Sequence, residues 1–195
     1  MSTKKIKKSI VSMKIITIVH GKSEYCICKS IQSNLRLKQE IIARDKGKSS
    51  IQINGIMDFL NTDKRFKSID TFKRYFPDIE YKNKELINFY LFIIMDVDDC
   101  DTNIKEKFKN KSLFKNHWLY QYIIPIYNDP NLEKTMKDAG ILIHKKKDYI
   151  TIFPTNHGDL DIKIAEELLE KLKNCKSTNL NEYIEYCILI AKNLI

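Results

Sequence analysis

The chain has 195 residues, 43% of them hydrophobic, and a formal net charge of +9, a composition that favours a globular domain over a disordered chain. No apolar run approaches the ~20 residues of a membrane span. Residues 4–8 are basic, but the apolar segment behind them is interrupted by Ser12 and Lys14. We therefore expect a cytoplasmic protein with neither a signal peptide nor a membrane partner.

The positive charge permits a polyanionic partner but does not establish one. The arginines are limited to Arg36, Arg44, Arg65 and Arg74, and every other cation is lysine. A chain this rich in Lys, Asn and Ile is typical of an AT-rich genome, in which lysine is partly a codon habit. The five cysteines lack the spacing of a zinc site or a redox pair, which predicts reduced and mostly buried thiols.

The first part of the chain predicts two strands and two helices behind a loosely ordered basic arm at residues 1–12. A β-branched run predicts the first strand, and apolar residues at four-residue spacing predict the first helix, with Ser23 as its N-cap. A second strand, a turn and a second helix follow. In chain order these segments are 14–19, 23–35, 39–44, 45–49 and 51–60.

The second part of the chain begins with a charged and aromatic region, residues 61–85, which is expected to be helical in part. Three further strands and three helices are then predicted from apolar runs and helical periodicity. The strands are 89–95, 122–127 and 149–153, and the helices are 129–137, 161–172 and 180–194. Alternating strands and helices predict one three-layer α/β domain over residues 13–195, with a mainly parallel sheet flanked by helices.

The sequence IITIVHGKSE at residues 15–24 contains Gly-Lys-Ser and raises the question of a phosphate-binding loop. A Walker A loop needs a first glycine five positions before the second, so that the backbone can wrap around the phosphates. Ile16 occupies that position, inside the predicted strand. The segment is therefore a strand, a tight turn at Gly21 and a helix, with polar residues at the strand's carboxyl end.

The clearest signal in the chain is the apolar run 89–95, which ends in Asp96-Val97-Asp98-Asp99-Cys100-Asp101. A strand buried on both faces is typical of a parallel sheet, whose sites lie at the carboxyl ends of its strands. Neighbouring carboxylates at such a place need a counter-charge, which Mg²⁺ or Mn²⁺ supplies. The alternative is a solvated acidic turn that caps the helix near Thr102. Asp99 and Asp101 are expected to cap that helix or to support the site.

Together these motifs resemble the Toprim domain of topoisomerases, primases and small nucleases. That family has a strand ending in Glu-Gly-x-x-Glu/Asp and a later strand ending in Asp-x-Asp, which bind Mg²⁺ for phosphodiester chemistry. Gly21 and Glu24 match the first motif, and Asp96 and Asp98 match the second. The resemblance spans residues 14–135. It is closest to standalone Toprim proteins of bacterial defence, in which Asn-Pro-x-x-Glu follows a later strand; residues 129–133, Asp-Pro-Asn-Leu-Glu, stand there.

The resemblance implies a role for each matching residue. Asp96, Asp98 and Glu133 would hold one or two cations, with Asp98 essential for catalysis. Glu24 would add a ligand or a base, or else be an ordinary first-turn acid. His20 replaces the family's leading glutamate. Imidazole accepts a proton near neutral pH and binds Mn²⁺ better than Mg²⁺, so the replacement changes the metal preference or weakens cleavage.

Basic groups near the predicted strand ends are candidates for nucleic-acid contact. Lys22 follows Gly21, and His157 follows the predicted strand 149–153. The alternatives are a solvated lysine and a loop histidine. The lysine run 145–147 is either a solvated loop or a phosphate contact. His117 and His144 are expected to be structural or surface groups.

Three functions are compatible with these residues. The first is a metal-dependent Toprim-like nuclease that acts on DNA or RNA within a bacterial defence system, with a co-encoded ATPase as a candidate partner. The second is a catalytically inert Toprim-like module that binds nucleic acid or a protein. The third is a nuclease of ribosomal-RNA maturation, a type that normally keeps the leading glutamate. An oligomer is compatible with all three.

Overall fold

The structure is a computed structural model that describes residues 14–192. The predicted arm at residues 1–12 and the end of the last predicted helix at residues 193–194 lie outside the described residues. The strands are β1 Ile15–Val19, β2 Gln39–Ile42, β3 Tyr81–Lys82, β4 Glu85–Leu86, β5 Tyr90–Asp96 and β6 Ile123–Asn128. The helices are α1 Lys22–Asn34, α2 Ile56–Thr62, α3 Ile69–Tyr75, α4 Thr102–Lys109, α5 Leu132–Asp138, α6 Asp148–Ile152, α7 Lys163–Leu172 and α8 Leu180–Lys192.

Four of the strands form one parallel sheet in the order β2-β1-β5-β6, while β3 and β4 form a small antiparallel hairpin. Helices cover both faces of the parallel sheet, which confirms the predicted three-layer α/β fold with a mainly parallel sheet. The chain winds from β1 to β2 in one direction and from β5 to β6 in the other. The topological switch point, where such sheets open a crevice, therefore lies between the carboxyl ends of β1 and β5.

Each face of the sheet has its own hydrophobic core. Alternate strand residues such as Val19 and Ile94 face one core, which α1, α5, α6, α7 and α8 cover. Ile18 and Ile93 face the other, which α2, α3 and α4 cover. Burial of each such side chain contributes about 1.5–3 kcal/mol, and apolar residues on both faces account for the uninterrupted runs in the sequence.

The predicted fifth strand at 149–153 is wrong, because α6 occupies Asp148–Ile152. Tyr149 and Phe153 are four residues apart in the sequence, and both are buried in the same core. Their rings pack against each other with centroids 6.1 Å apart. This spacing fits one face of a helix as well as it fits alternation in a strand. The carboxylate of Asp148 also accepts the N–H groups of His144 and Lys145 at 3.0 and 2.9 Å, which fixes the turn before the helix.

Several element boundaries differ from the predictions. Gly21 rather than Ser23 is the N-cap of α1, and β2 ends at Ile42, so that Arg44–Gly47 forms a 3₁₀ turn instead of continuing the strand. The helix predicted at 51–60 begins with a 3₁₀ turn at Ile53–Gly55 and continues as α2. Region 61–85 contains α3 and the hairpin, in agreement with partial helicity.

The sequence also predicted reduced thiols and no membrane span. All five cysteines are free, and Cys26, Cys28 and Cys187 are buried. Among residues 14–192, none of the helices has both the length and the apolar character that crossing a membrane requires.

Gly47 closes the loop behind the turn between β1 and α1. Its φ is +86°, and a Cβ at this position would lie 2.8 Å from the Cα of Lys22. A side chain here would therefore meet both an unfavourable backbone conformation and the backbone of the turn.

We predict that Gly47→Ala lowers the free energy of unfolding by about 3 kcal/mol. Gly140→Ala is the matched control, because Gly140 has φ +70° but no atom within 4 Å of its added Cβ; this control is expected to lose about 1 kcal/mol. Urea unfolding followed by circular dichroism measures both. Equal losses would show that the loop does not pack on the turn as described.

Candidate functional site

A crevice opens at the topological switch point, where β1 and β5 end side by side. Its volume is about 430 Å³. Of the predicted site residues, His20, Asp96, Asp98 and Glu133 line it, and Lys145 and Lys146 line it as well. Four segments that are distant in the sequence thus contribute polar side chains to one concave surface.

The turn after β1 holds His20 between two neighbouring segments. The His20 N–H donates to Ile94 O of β5 at 2.9 Å, and the His20 carbonyl accepts the Ile51 N–H at 2.8 Å. The side chain is half-buried, and its Nδ1 has no hydrogen-bond partner among residues 14–192. The backbone of His20 is therefore fixed. Its imidazole lines the crevice, with the Nδ1 shielded from solvent.

Glu24 lies beneath the turn rather than at the crevice surface. Its side chain is 3% exposed, and its Oε2 accepts the Gly21 N–H at 3.0 Å. Burial raises the pKa of Glu24, and the nearby Glu133 acts in the same direction, whereas hydrogen bonds from the backbone and the His20 imidazole oppose the shift. Glu24 thus caps the first turn of α1 and adds a buried acid next to the crevice.

Asp96 is the buried acid of the crevice wall. Its Oδ1 accepts hydrogen bonds from Asn128 Nδ2 at 3.2 Å and from the Leu132 N–H at 3.0 Å. Burial raises the pKa of Asp96 from 3.8 to about 8, and the like charges of Glu24, Glu133 and Asp98 add to this effect against the opposing hydrogen bond from Asn128. In the absence of a cation, Asp96 is therefore mostly protonated at neutral pH.

Asn131 joins Asp98 to the helix that carries Glu133. Its side-chain oxygen accepts the Lys134 N–H at 3.1 Å and caps α5, while its Nδ2 donates to Asp98 Oδ2 at 2.9 Å. Asp98 and Glu133 are both exposed at the mouth of the crevice. Asn131 belongs to the 129–133 motif, but no pattern in the sequence assigns it a role of its own.

Of the two roles expected for Asp99, the structure excludes the capping of α4. The capping role belongs to Asp101, whose Oδ1 accepts the Ile104 N–H at 2.8 Å. Both carboxylate oxygens of Asp99 are shielded from solvent and have no hydrogen-bond partner within the described part of the chain. Burial raises the pKa of Asp99, and the His20 imidazole acts in the opposite direction. This acid is therefore close enough to interact with His20.

The segment before α6 adds basic residues to the lining of the crevice. Lys145 and Lys146 line it together with His144 and Tyr149, and Asp148 fixes the backbone of this segment through the two hydrogen bonds before α6. The Tyr149 hydroxyl is buried, and burial raises its pKa, with Glu133 and Glu24 adding to the shift. The lysine run could be seen in the sequence, but its position was hidden because 149–153 was predicted as a strand.

Two predicted nucleic-acid contacts do not line the crevice. Lys22 is exposed, and its ammonium lies over the Tyr25 ring at 5.3 Å. His157 is in a loop that contacts the far end of α1, where the Asn156 N–H donates to Ser33 Oγ at 3.0 Å. Because α1 begins beside the crevice and a helix of this length extends ~20 Å, His157 lies towards the opposite edge of the sheet.

Burial raises the pKa of Asp96, and the charges of the nearby carboxylates add to the rise, so a divalent cation would lower the cost of ionising these acids. However, no three side chains of His, Cys, Asp or Glu among residues 14–192 lie close enough together to form a complete metal site. Mg²⁺ commonly uses one or two carboxylates, several waters and a substrate phosphate. Asp96 and Asp98 provide a donor set of that kind.

No protein-family model, curated protein or solved structure matched this chain in our comparisons.

We predict that the cation-free protein loses stability as the pH rises from about 4 to about 8. The pKa of Asp96 is raised on folding, so the folded state keeps a proton that the unfolded state has lost, and each pH unit in this window costs up to about 1.4 kcal/mol. Urea unfolding in EDTA at several pH values measures the slope.

Asp96→Asn should flatten this slope and raise the stability at pH 8, because the amide oxygen still accepts from Asn128 and Leu132. Asp159→Asn, an exposed loop substitution, is the control and should follow the wild type. Parallel curves for the wild type and Asp96→Asn would contradict the assignment of Asp96 as the buried acid.

Proposed function

We propose that this protein is a metal-dependent phosphodiesterase that acts on DNA or RNA, related to the Toprim nucleases. The observation that carries the proposal is the mixture of charges in the crevice: acids from the end of β5 and from α5 line it together with Lys145 and Lys146. A phosphodiester needs both, because its own charge is attracted to lysines while carboxylates near the reacting phosphorus require a cation between them.

Asp96 and Asp98 would hold the cation, with Glu133 as a third carboxylate at the mouth of the crevice. The cation would supply a more acidic water and stabilise the leaving oxygen. Asn131 orients Asp98 through its 2.9 Å hydrogen bond. The backbone N–H of Leu132 and the amide of Asn128 fix Asp96. The carboxylates are thus held in position by neutral donors that do not compete for the positive charge.

His20 lines the crevice, where its imidazole would add a nitrogen ligand to the cation or accept a proton from the attacking water. The nearby Asp99 carboxylate would stabilise the positive charge of a protonated imidazole. Lys145 and Lys146 would bind the phosphate backbone on either side of the reacting group. Glu24 would fix the turn that presents His20, through its bond to the Gly21 N–H.

A second candidate is an inert module that binds nucleic acid or a partner protein. It is favoured by the absence of a three-donor metal cluster among residues 14–192 and by the engagement of Glu24 as a helix cap. An inert module keeps nucleic-acid affinity but shows no cleavage with either cation, so one assay on the same samples distinguishes the two candidates.

We predict that Asp98→Asn lowers the cleavage rate at least about a hundredfold without changing the melting temperature by more than a few degrees. Asp98 is exposed and its amide analogue still accepts from Asn131, so the fold does not depend on its charge. Nicking of plasmid, single-stranded DNA and RNA with Mg²⁺ and with Mn²⁺ is the measurement. Asp159→Asn should cleave normally.

Inactivity of the wild type on every substrate with both cations would refute the enzyme and leave the binding module. Cleavage by Asp98→Asn at the wild-type rate would instead show that a nuclease acts through other residues.

We predict that the wild type prefers Mn²⁺ and that His20→Glu shifts the preference towards Mg²⁺, since a hard carboxylate replaces an imidazole. The ratio of cleavage rates with the two cations measures the shift. His144→Glu is the control, because it introduces the same charge from another segment that lines the crevice. An equal change in both variants would show that added charge, rather than the position of His20, sets the metal preference.

A further inference from the structure

A second pocket lies outside the crevice, around α3 and the loop that precedes it. Its volume is about 360 Å³, and it is lined by Lys64, Lys67, Thr71, Arg74 and Tyr75. It shares no lining residue with the crevice. Three of its five residues are cations and none is an acid, which distinguishes it from an ordinary mixed-charge surface.

The cations of this pocket are not neutralised by neighbouring acids. Lys64, Lys67 and Arg74 form no ion pair within residues 14–192. The closest acid in sequence, Asp63, is bound by Arg65 through two hydrogen bonds of 2.9 and 2.7 Å. Asp70 is exposed on α3 and forms no ion pair in the described residues either. Three uncompensated cations around one concavity attract an anion with several charges.

The backbone around the pocket is fixed from both sides. Ser68 caps α3 by accepting the Thr71 N–H at 3.3 Å, and Thr71 Oγ1 donates to the Ser68 carbonyl at 2.9 Å. Trp118 Nε1 donates to the Phe66 carbonyl at 2.6 Å and ties the loop to the core. The cations therefore extend from a rigid frame, which lowers the entropic cost of binding a ligand.

Tyr75 adds an aromatic surface to the cations. Its side chain is 52% exposed at the end of α3, which is unusual for a large ring. Cations that follow a phosphate backbone, together with an exposed ring on which a base stacks, are the combination that binds single-stranded nucleic acid. A duplex keeps its bases stacked on one another and makes no use of the ring.

The pocket lies on the sheet face that α2, α3 and α4 cover. The segment before α2 reaches the turn after β5, where Asn54 Nδ2 donates to the Asp99 carbonyl at 2.9 Å, next to Asp98 of the crevice. Helix α2 then extends ~10 Å towards the loop that carries Lys64 and Lys67. A strand of several nucleotides spans such a separation.

We infer that the pocket of Lys64, Lys67, Arg74 and Tyr75 binds a single-stranded segment of nucleic acid at a distance from the crevice. The inference rests on the proposed function for the identity of its ligand. It adds a strand-holding site that selects single-stranded over duplex substrates.

The test is binding of a short fluorescein-labelled oligothymidylate and the matching oligouridylate, by anisotropy in EDTA, where cation-dependent cleavage is absent. Lys64→Glu/Lys67→Glu should weaken binding at least about tenfold at low salt. The slope of log Kd against log salt should fall by about 1.4, or about 0.7 for each phosphate that a lysine no longer neutralises. Lys107→Glu/Lys163→Glu is the control with the same charge change on exposed lysines outside this pocket, and it should leave the slope nearly unchanged.

Tyr75→Ala should weaken single-strand binding roughly tenfold, whereas Tyr120→Ala, at a tyrosine that is 39% exposed elsewhere, should not. Equal effects of the two lysine pairs would overturn the inference, as would an unaffected Tyr75→Ala or an equal loss for a duplex of the same length. Asp98→Asn should bind like the wild type in EDTA. If the protein binds through the pocket but cleaves no substrate, the nuclease proposal is refuted and this inference is kept. If the protein cleaves but the pocket variants bind like the wild type, this inference is refuted and the nuclease proposal is kept.

Discussion

Four acids lie near one another at the carboxyl edge of the parallel sheet, of which Glu24 and Asp96 are buried and Asp98 and Glu133 are exposed. Burial raises the pKa of Asp96 to about 8, and the charges of Glu24, Glu133 and Asp98 add to the effect. Such an arrangement lowers the stability of the apo protein unless a proton or a cation occupies it. Neutral hydrogen-bond donors of the crevice reduce this loss of stability, and the proposed cation site makes use of the same charges.

The topology explains why these acids come together. Since the chain reverses its winding direction between β1 and β5, the helices that follow these strands leave on opposite faces and open a crevice between them. His20 follows β1, Asp96 ends β5, and Glu133 enters from the helix after β6. Neutral hydrogen-bond donors, such as the Leu132 N–H on Asp96 and the Asn131 amide on Asp98, then fix the carboxylates.

The parallel sheet and the position of its acids could be predicted from sequence because both depend on local patterns. The apolar run before Asp96 indicates a strand buried on two faces, and the strand-end rule brings His20 and Asp96 to the same edge. The segment 149–153 was mispredicted because the spacing of Tyr149 and Phe153 fits both a helix and a strand. The helix forms because both side chains pack against a core that cannot be read from the sequence. Because that segment was misplaced, Lys145 and Lys146 were not assigned to the crevice, and His157 was expected there instead.

Interactions that depend on three-dimensional proximity also could not be predicted from the sequence. Glu24 matched a catalytic position in the motif, yet its carboxylate bonds to the Gly21 N–H three residues earlier and is 3% exposed. Asp99 was expected to cap a helix or to support the site; Asp101 performs the capping, and Asp99 lies near His20. Neighbouring acids in one short run have different roles here because the chain turns between them.

The proposed function implies that a divalent cation displaces a proton from Asp96. Calorimetric titration of Mn²⁺ into the protein at pH 7, in two buffers of different ionisation enthalpy, measures the protons released on binding. With the pKa of Asp96 raised to about 8, we predict release of about one proton per cation bound and loss of that release in Asp96→Asn. Binding without proton release, or no binding of Mn²⁺ at all, would contradict the account.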